Sequence, residues 1–268
     1  MENNTKYLRD LAKVASILES ENITAVQRRE LLSIYSVAYH DSGKIEGIAS
    51  LDGTATHCSF CKAMQAAAEM DKTIVCGGCY ALAMESYRTN VTNRNYIRQL
   101  IMSKVEFTVD ELSTLNIPSR FVRFNSDGDL ENTTQAINYL RIAKAHSWTK
   151  AALWTKNLPA LKTAIEKEGK PENMIIIYSS CRLNESRVDL FEKYPWIDYV
   201  FTVYVDKKST AAAIENGANE CNGKKCMDCG FKCYNGTWKK HTNIAEYLRG
   251  VNPQKRAELL KAVQARKA

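Results

Sequence analysis

Four cysteines fall within thirteen residues at Cys221-Asn-Gly-Lys-Lys-Cys226-Met-Asp-Cys229-Gly-Phe-Lys-Cys233, and no other stretch limits the possible folds so tightly. Thiols this close in sequence would close small strained loops as disulfides. They can instead converge on one soft metal or cluster, and C-x4-C-x2-C is a spacing met in iron–sulfur ligation. Gly223 and Gly230 let the backbone turn tightly between the thiols. A second group lies upstream, Cys58-Ser-Phe-Cys61, then fourteen residues, then Cys76-Gly-Gly-Cys79, so eight of the nine cysteines fall in two sets of four. The spacing C-x2-C…C-x2-C also suits structural zinc, and iron versus zinc stays open on spacing alone. His57 precedes the first pair as a possible neighbour of the metal, and Cys181 reads as a buried neutral thiol.

Disulfides need an oxidising compartment, and Met1-Glu-Asn-Asn-Thr-Lys-Tyr carries no basic-then-apolar signal segment. No apolar run approaches the length of a membrane span. These features lead to the expectation of a cytoplasmic protein with no membrane partner. A chain of 268 residues is long enough for one large α/β domain. Its net charge of +7 leaves a nucleic-acid partner open through a basic surface, with Phe231, Tyr234 and Trp238 as candidate base contacts.

Along the chain, residues 5–37 read as two helices separated by a turn at 21–24, with Thr24 as N-cap. Residues 43–56 read as a strand or loop that delivers the first cysteine pair. A helix follows over 62–71, and a long one from Tyr80 to about Lys104. Strand–helix alternation then becomes regular. Strands over 120–125, 151–155, 174–178 and 199–204 are each followed by a helix, over 132–146, 158–168, 185–193 and 208–216. This alternation predicts βαβ units and a parallel sheet. A last helix covers 252–268. The expected division is a helical extension over 1–42, an α/β body over 43–217, and a cysteine-rich segment with the final helix over 218–268.

In parallel sheets ligands bind at the carboxyl ends of strands. Those ends carry Asn125-Ser126-Asp127-Gly-Asp129, Lys156-Asn157, Ser179-Ser180-Cys181 and Asp206-Lys207. Asp127 and Asp129 are candidates to bind a cationic group of a small-molecule substrate, and Lys156 an anionic one. Asn132 and Asn157 suit helix caps.

The pieces Gly43-Lys-Ile-Glu-Gly-Ile-Ala-Ser, Cys76-Gly-Gly-Cys79-Tyr-Ala, Arg123-Phe-Asn-Ser-Asp-Gly-Asp129, Trp154-Thr-Lys156 and Cys226-Met-Asp-Cys229-Gly-Phe231 together resemble the phage and plasmid "gene product 88" family. That family looks like a relative of radical S-adenosylmethionine barrels. The resemblance implies a partial (β/α) TIM-like barrel of parallel strands with one or two [4Fe–4S] clusters; it brings no activity with it, and the leading expectation is an enzyme acting at the strand ends with S-adenosylmethionine as a candidate cosubstrate. It also implies that Asn125, Ser126, Ser179 and Ser180 line a cofactor site, with Asn125–Asp129 comparable to the loop that holds the methionyl amino group. The metal set implied is Cys58, Cys61, Cys76 and Cys79 with Cys221, Cys226, Cys229 and Cys233. One departure stands out: radical enzymes use C-x3-C-x2-C and leave one iron open, whereas four cysteines could close the shell. Zinc with a nucleic-acid-binding role, or a metal-stapled interaction protein without chemistry, are the alternatives.

Overall fold

The computed structural model describes residues 2–221, 223 and 225–267, so Met1, Asn222, Lys224 and Ala268 of the expected segments lie outside the described residues. Eight strands form one sheet: β1 (Ala38–Tyr39), β2 (Ile48–Leu51), β3 (Phe121–Phe124), β4 (Lys150–Thr155), β5 (Met174–Ser179), β6 (Tyr199–Tyr204), β7 (Asn219–Glu220) and β8 (Thr242–Tyr247). Their order is β1-β2-β3-β4-β5-β6-β8-β7. Every pairing is parallel except β1 with β2. The edges β1 and β7 do not meet among the described residues, so this mixed α/β sheet is open.

Alternation along the strands divides the apolar side chains between two faces. Leu51, Val122, Phe124, Ala151, Leu153, Ile176 and Val200 face the helices and share one core with Leu31, Ile101, Leu140 and Leu161. Ile48, Ala152, Ile177, Tyr199 and Ile244 face the other way. There the cysteine-rich segment covers them: Phe231 stacks on Phe121 with ring centroids 4.1 Å apart, and Tyr234 lies 5.7 Å from Trp154. Both faces are therefore dry, which is why the strands are almost continuously apolar. Phe231 and Tyr234 spend their rings on this packing, so neither is free to contact a base.

The helices begin where short polar side chains can take up the unpaired N–H groups. Thr24 and Gln27 form a reciprocal capping box, and Asn132, Asn157 and Asp206 cap Thr133–Ala145, Leu158–Glu168 and Lys207–Glu215. Three expectations need correction. The long helix divides into Tyr80–Glu85 and Thr89–Lys104. The Glu85 carboxylate accepts the N–H groups of Ala55 (2.6 Å) and Thr56 (2.9 Å), and that tertiary pull overrides local propensity. The helix expected over 185–193 is only Leu190–Lys193. The segment 218–268 supplies β7 and β8 to the sheet as well as the final helix, Pro253–Lys267.

Candidate metal centres and the strand-end site

All nine cysteines are free thiols. The upstream set gathers where the strands end. Cys58 caps helix Ser59–Met70, its Sγ accepting the Cys61 N–H at 3.3 Å and lying 3.8 Å from the Asp129 carbonyl. The turn Val75–Gly78 presents Cys76 beside the exit of β5. Val75 N–H donates to the Cys181 carbonyl (2.9 Å), and Leu183 N–H donates to Thr73 (2.8 Å). Arg182 pairs with Asp71 at 3.0 Å and closes the staple. Tyr80, directly after Cys79, donates to the Ser126 carbonyl at 2.8 Å.

Lys156 stands in the middle of this group. Burial works against its charge, but Asp129 and the sulfurs of Cys76, Cys181 and Cys61 outweigh that and hold it protonated. No carboxylate lies within ion-pair distance of its ammonium among the described residues. Asp129, 4% exposed, accepts from the Thr155 hydroxyl, from Lys156 N–H (2.9 Å) and from Leu130 N–H (2.7 Å). Its oxygens are spent on bracing the strand end that carries Lys156. Hydrogen bonding to Cys58, then burial, pushes the Cys61 thiol up, and burial pushes Cys76 up to about 11.

The neighbouring loop is held by a residue that sequence reasoning missed. Asp52, just after β2, accepts from Ser126 N–H (2.7 Å) and Ser126 Oγ (2.5 Å) through one oxygen and from Ser50 Oγ (2.5 Å) through the other. Asn125 adopts the left-handed conformation at φ 58° that lets the chain turn into this loop, and its buried Oδ1 has no hydrogen-bond partner. Burial, with Asp52 and Glu85 nearby, raises the Asp127 carboxyl to about 6. Ser180 uses its hydroxyl inside its own turn, 3.2 Å from the Arg182 carbonyl, and Ser179 is buried at the end of β5. His57 stacks on Tyr96 with centroids 4.0 Å apart.

The C-terminal set sits against the covered face of the sheet. Cys221 and Cys233 pack around Ile177, Tyr199 and Ile244, and Cys226 packs near Ile48 and Tyr234. Burial, then Cys221, Cys226 and Cys229, raises the Cys233 thiol. Cys229 Sγ lies 3.1 Å from the Cys226 carbonyl. Arg123, a second residue missed, projects from β3 onto this face and lies flat on Trp154, 4.3 Å from the ring centroid.

Among the described residues no three His, Cys, Asp or Glu side chains stand ready-made to hold a metal ion. The donors nevertheless fit one. Four soft thiols per set are the donor chemistry a soft metal takes, and Lys156 lies by the first set and Arg123 by the second, with Asp129 and Asp52 the carboxylates that act on them. Two of these sulfurs, Cys58 and Cys229, face backbone carbonyls.

Residues 18–246 match the sequence model of the family described as gene product 88. The chain belongs to that family. In this gene product 88 chain the match spans the sheet and both cysteine sets. No curated protein and no solved structure shows a significant match. Among the described residues no helix is long and apolar enough to cross a membrane.

Asp52 was legible in principle, because it ends a strand as Asn125 and Lys156 do. Arg123 was legible as the one charge in an otherwise apolar alternation, Phe121-Val-Arg-Phe124. The proximity of Cys181 to Cys76 carried no sequence signal, since 105 residues separate them (181 − 76).

Proposed function

We propose that the chain is an iron–sulfur enzyme on a partial (β/α) barrel, acting on a small molecule at the strand ends in the manner of radical S-adenosylmethionine enzymes. One cluster would be held by three of Cys58, Cys61, Cys76 and Cys79, which leaves one iron open for the cosubstrate, and a second by Cys221, Cys226, Cys229 and Cys233. The observation that carries this reading is Lys156, a partly buried ammonium among Cys61, Cys76 and Cys181 with no carboxylate within ion-pair distance. Burial disfavours this cation; Asp129 favours it, and so do the sulfurs once they are ionised, which a bound metal brings about. The partial barrel is supported by a sheet whose second face is filled by the chain's own cysteine-rich segment, with its single helical turn Lys232–Asn235, rather than by the helices that link the strands.

The bound cluster supplies one-electron chemistry. The chain's own groups do the rest. Lys156 holds an anionic group of substrate or cofactor next to the sulfurs. Asn125 Oδ1, buried and unpartnered, accepts an N–H from the ligand. Asp127, raised to about 6, takes up or returns a proton near neutrality. Asp129 and Asp52 act as positioning residues that lock the two loops through the hydrogen bonds they accept.

Metal and sulfide content with an absorption spectrum, on protein purified without oxygen, tests this. About four irons and four sulfides per filled set, with a broad band near 400 nm, is the expected result. The reduced protein then consumes S-adenosylmethionine. Colourless protein with zinc in both sets would overturn the iron reading and make the cysteines structural staples.

A further inference from the structure

The covered face of the sheet contains a charge, Arg123, that no carboxylate pairs with directly among the described residues; Asp52 and Asp127 act on it from farther off. Arg123 Nε is shut off from solvent and has no hydrogen-bond partner, and no carboxylate lies within ion-pair distance of the guanidinium among the described residues. Asp52 is near enough to act on it, yet both Asp52 oxygens are taken by Ser50 and Ser126. The Trp154 ring fixes the guanidinium plane. Trp154, over which it lies, packs in the same apolar clusters as three of the four C-terminal cysteines, Cys221, Cys226 and Cys233. Lys44 also acts on Cys221 and Cys226, but Glu246 pairs with it at 3.0 Å, and the Arg249 guanidinium lies against Gly223 in the loop between those cysteines. Lys225 is likewise paired, with Glu46 at 2.6 Å. Of Lys44, Lys225 and Arg123, only Arg123 has no carboxylate within ion-pair distance among the described residues.

We infer that Arg123 is the counter-cation of the C-terminal metal centre, balancing the dianion formed when four thiolates enclose zinc or an oxidised [4Fe–4S] cluster. This rests on the reading of Cys221, Cys226, Cys229 and Cys233 as metal ligands, though not on which metal they take. Arg123 thereby sets the affinity of that centre and, where the centre is a cluster, its reduction potential. A fixed positive charge favours the reduced, more negative cluster, so its loss makes reduction harder.

The experiment compares the full-length wild-type chain with Arg123→Gln, Arg123→Met, Arg123→Lys and Lys44→Gln. Zinc affinity is read by competition with a chromophoric chelator, and iron-loaded protein is titrated redox-potentiometrically. Arg123→Gln should weaken one of the two zinc sites about tenfold, the lower end for residues supporting a metal's ligands. It should shift one potential negative by a tenfold change in the one-electron equilibrium, about 59 mV. Arg123→Lys, which keeps the charge and loses the stacking, should retain both values, and Lys44→Gln should change little. Arg123→Met fills the same space along Trp154 and serves as the uncharged variant if the glutamine form is insoluble. Equal losses in the Lys and Gln variants would overturn the charge role in favour of packing. Unchanged affinity and potential in metal-loaded Arg123→Gln would overturn it outright. A wild-type chain whose C-terminal set takes up no metal would overturn the metal reading itself, and that is seen before any variant is made.

Discussion

The two cysteine sets use the same residue type for different physical ends. The upstream set lies at the carboxyl ends of the strands, among loops, with Gly77, Gly78 and Tyr80 exposed beside it. Its neighbours are polar and poised: Lys156, Asp127, and an Asn125 oxygen without a partner. The C-terminal set lies against a sheet face, among Ile48, Ala152, Ile177, Tyr199 and Tyr234. Removing metal from the first should cost chemistry, and removing it from the second should cost the fold. A chain can keep a reactive centre at its strand ends when other parts of it carry the stability.

The largest test of that contrast replaces one pair of thiols in each set. Cys226→Ala with Cys229→Ala should lower unfolding free energy by at least ~3 kcal/mol, because on the proposed reading a metal would hold the cover over the sheet. Cys76→Ala with Cys79→Ala should lower it by about 1 kcal/mol while abolishing the strand-end chemistry. Denaturant titration of both variants, with and without chelator, checks this, and equal losses would erase the distinction.

Two tyrosines sharpen it next. Tyr234, 2% exposed, packs against Trp154, Phe121 and Phe231, so Tyr234→Ala should cost about 3–5 kcal/mol. Tyr80 is 62% exposed, and Tyr80→Ala should stay within about 0.5 kcal/mol by the same titration. A large loss at Tyr80 would mean that the strand-end loops carry more stability than their exposure suggests.

Glycines in the two regions separate further. Gly128 has φ +74°, and an added Cβ would sit 2.9 Å from Thr54 N and 3.0 Å from Gly53 C. Gly128→Ala therefore meets both strain and backbone collision and should cost about 2–3 kcal/mol. Gly230, at φ +68°, has open space around its Cβ position, so Gly230→Ala carries the strain alone, about 1 kcal/mol. Thermal melts of the two variants rank them.

The smallest effect depends on pH. The Asp127 carboxyl titrates at about 6 in the fold against an ordinary 3.8, so the folded state binds its proton more tightly than the unfolded chain does. Stability should fall as pH rises from about 4 through 6 and level off above. Asp127→Asn removes that loss. Its advantage over wild type should be absent at pH 4 and reach about 1–2 kcal/mol at pH 7, after allowance for partial exposure. Melting temperatures across pH 4–8 check this, and a constant gap would place the Asp127 effect in packing instead of charge.

Much of the α/β frame was legible because its signals are local. Apolar runs at 151–155, 174–178 and 199–204 became β4, β5 and β6 nearly unchanged, and Thr24, Asn132 and Asn157 cap helices as their side chains allow. The break between Glu85 and Thr89 was not legible, because it is made by hydrogen bonds to Ala55 and Thr56 some thirty residues away. Strand β8 was missed because Thr242-Asn-Ile-Ala-Glu-Tyr247 is too polar to read as a buried strand until β6 lies beside it. Of the strand-end site, the loop Asn125–Asp129 and Lys156 could be named from position. Asp129's internal hydrogen bonds could not be, since Thr155, Lys156 and Leu130 had first to be brought to it.

By itself the sequence determined the donor chemistry: eight thiols in two sets of four, and strands apolar enough to be covered on both faces. Spacing along the chain bounds which sulfurs can share an ion, so that much is local. Only the tertiary structure decided that one set meets the strand ends around Lys156 while the other packs on the sheet beneath Arg123. The charge and solvation around a thiol are set by groups distant in sequence. Burial and an unpaired cation decide what a cysteine can do, and neither exists until the chain has folded.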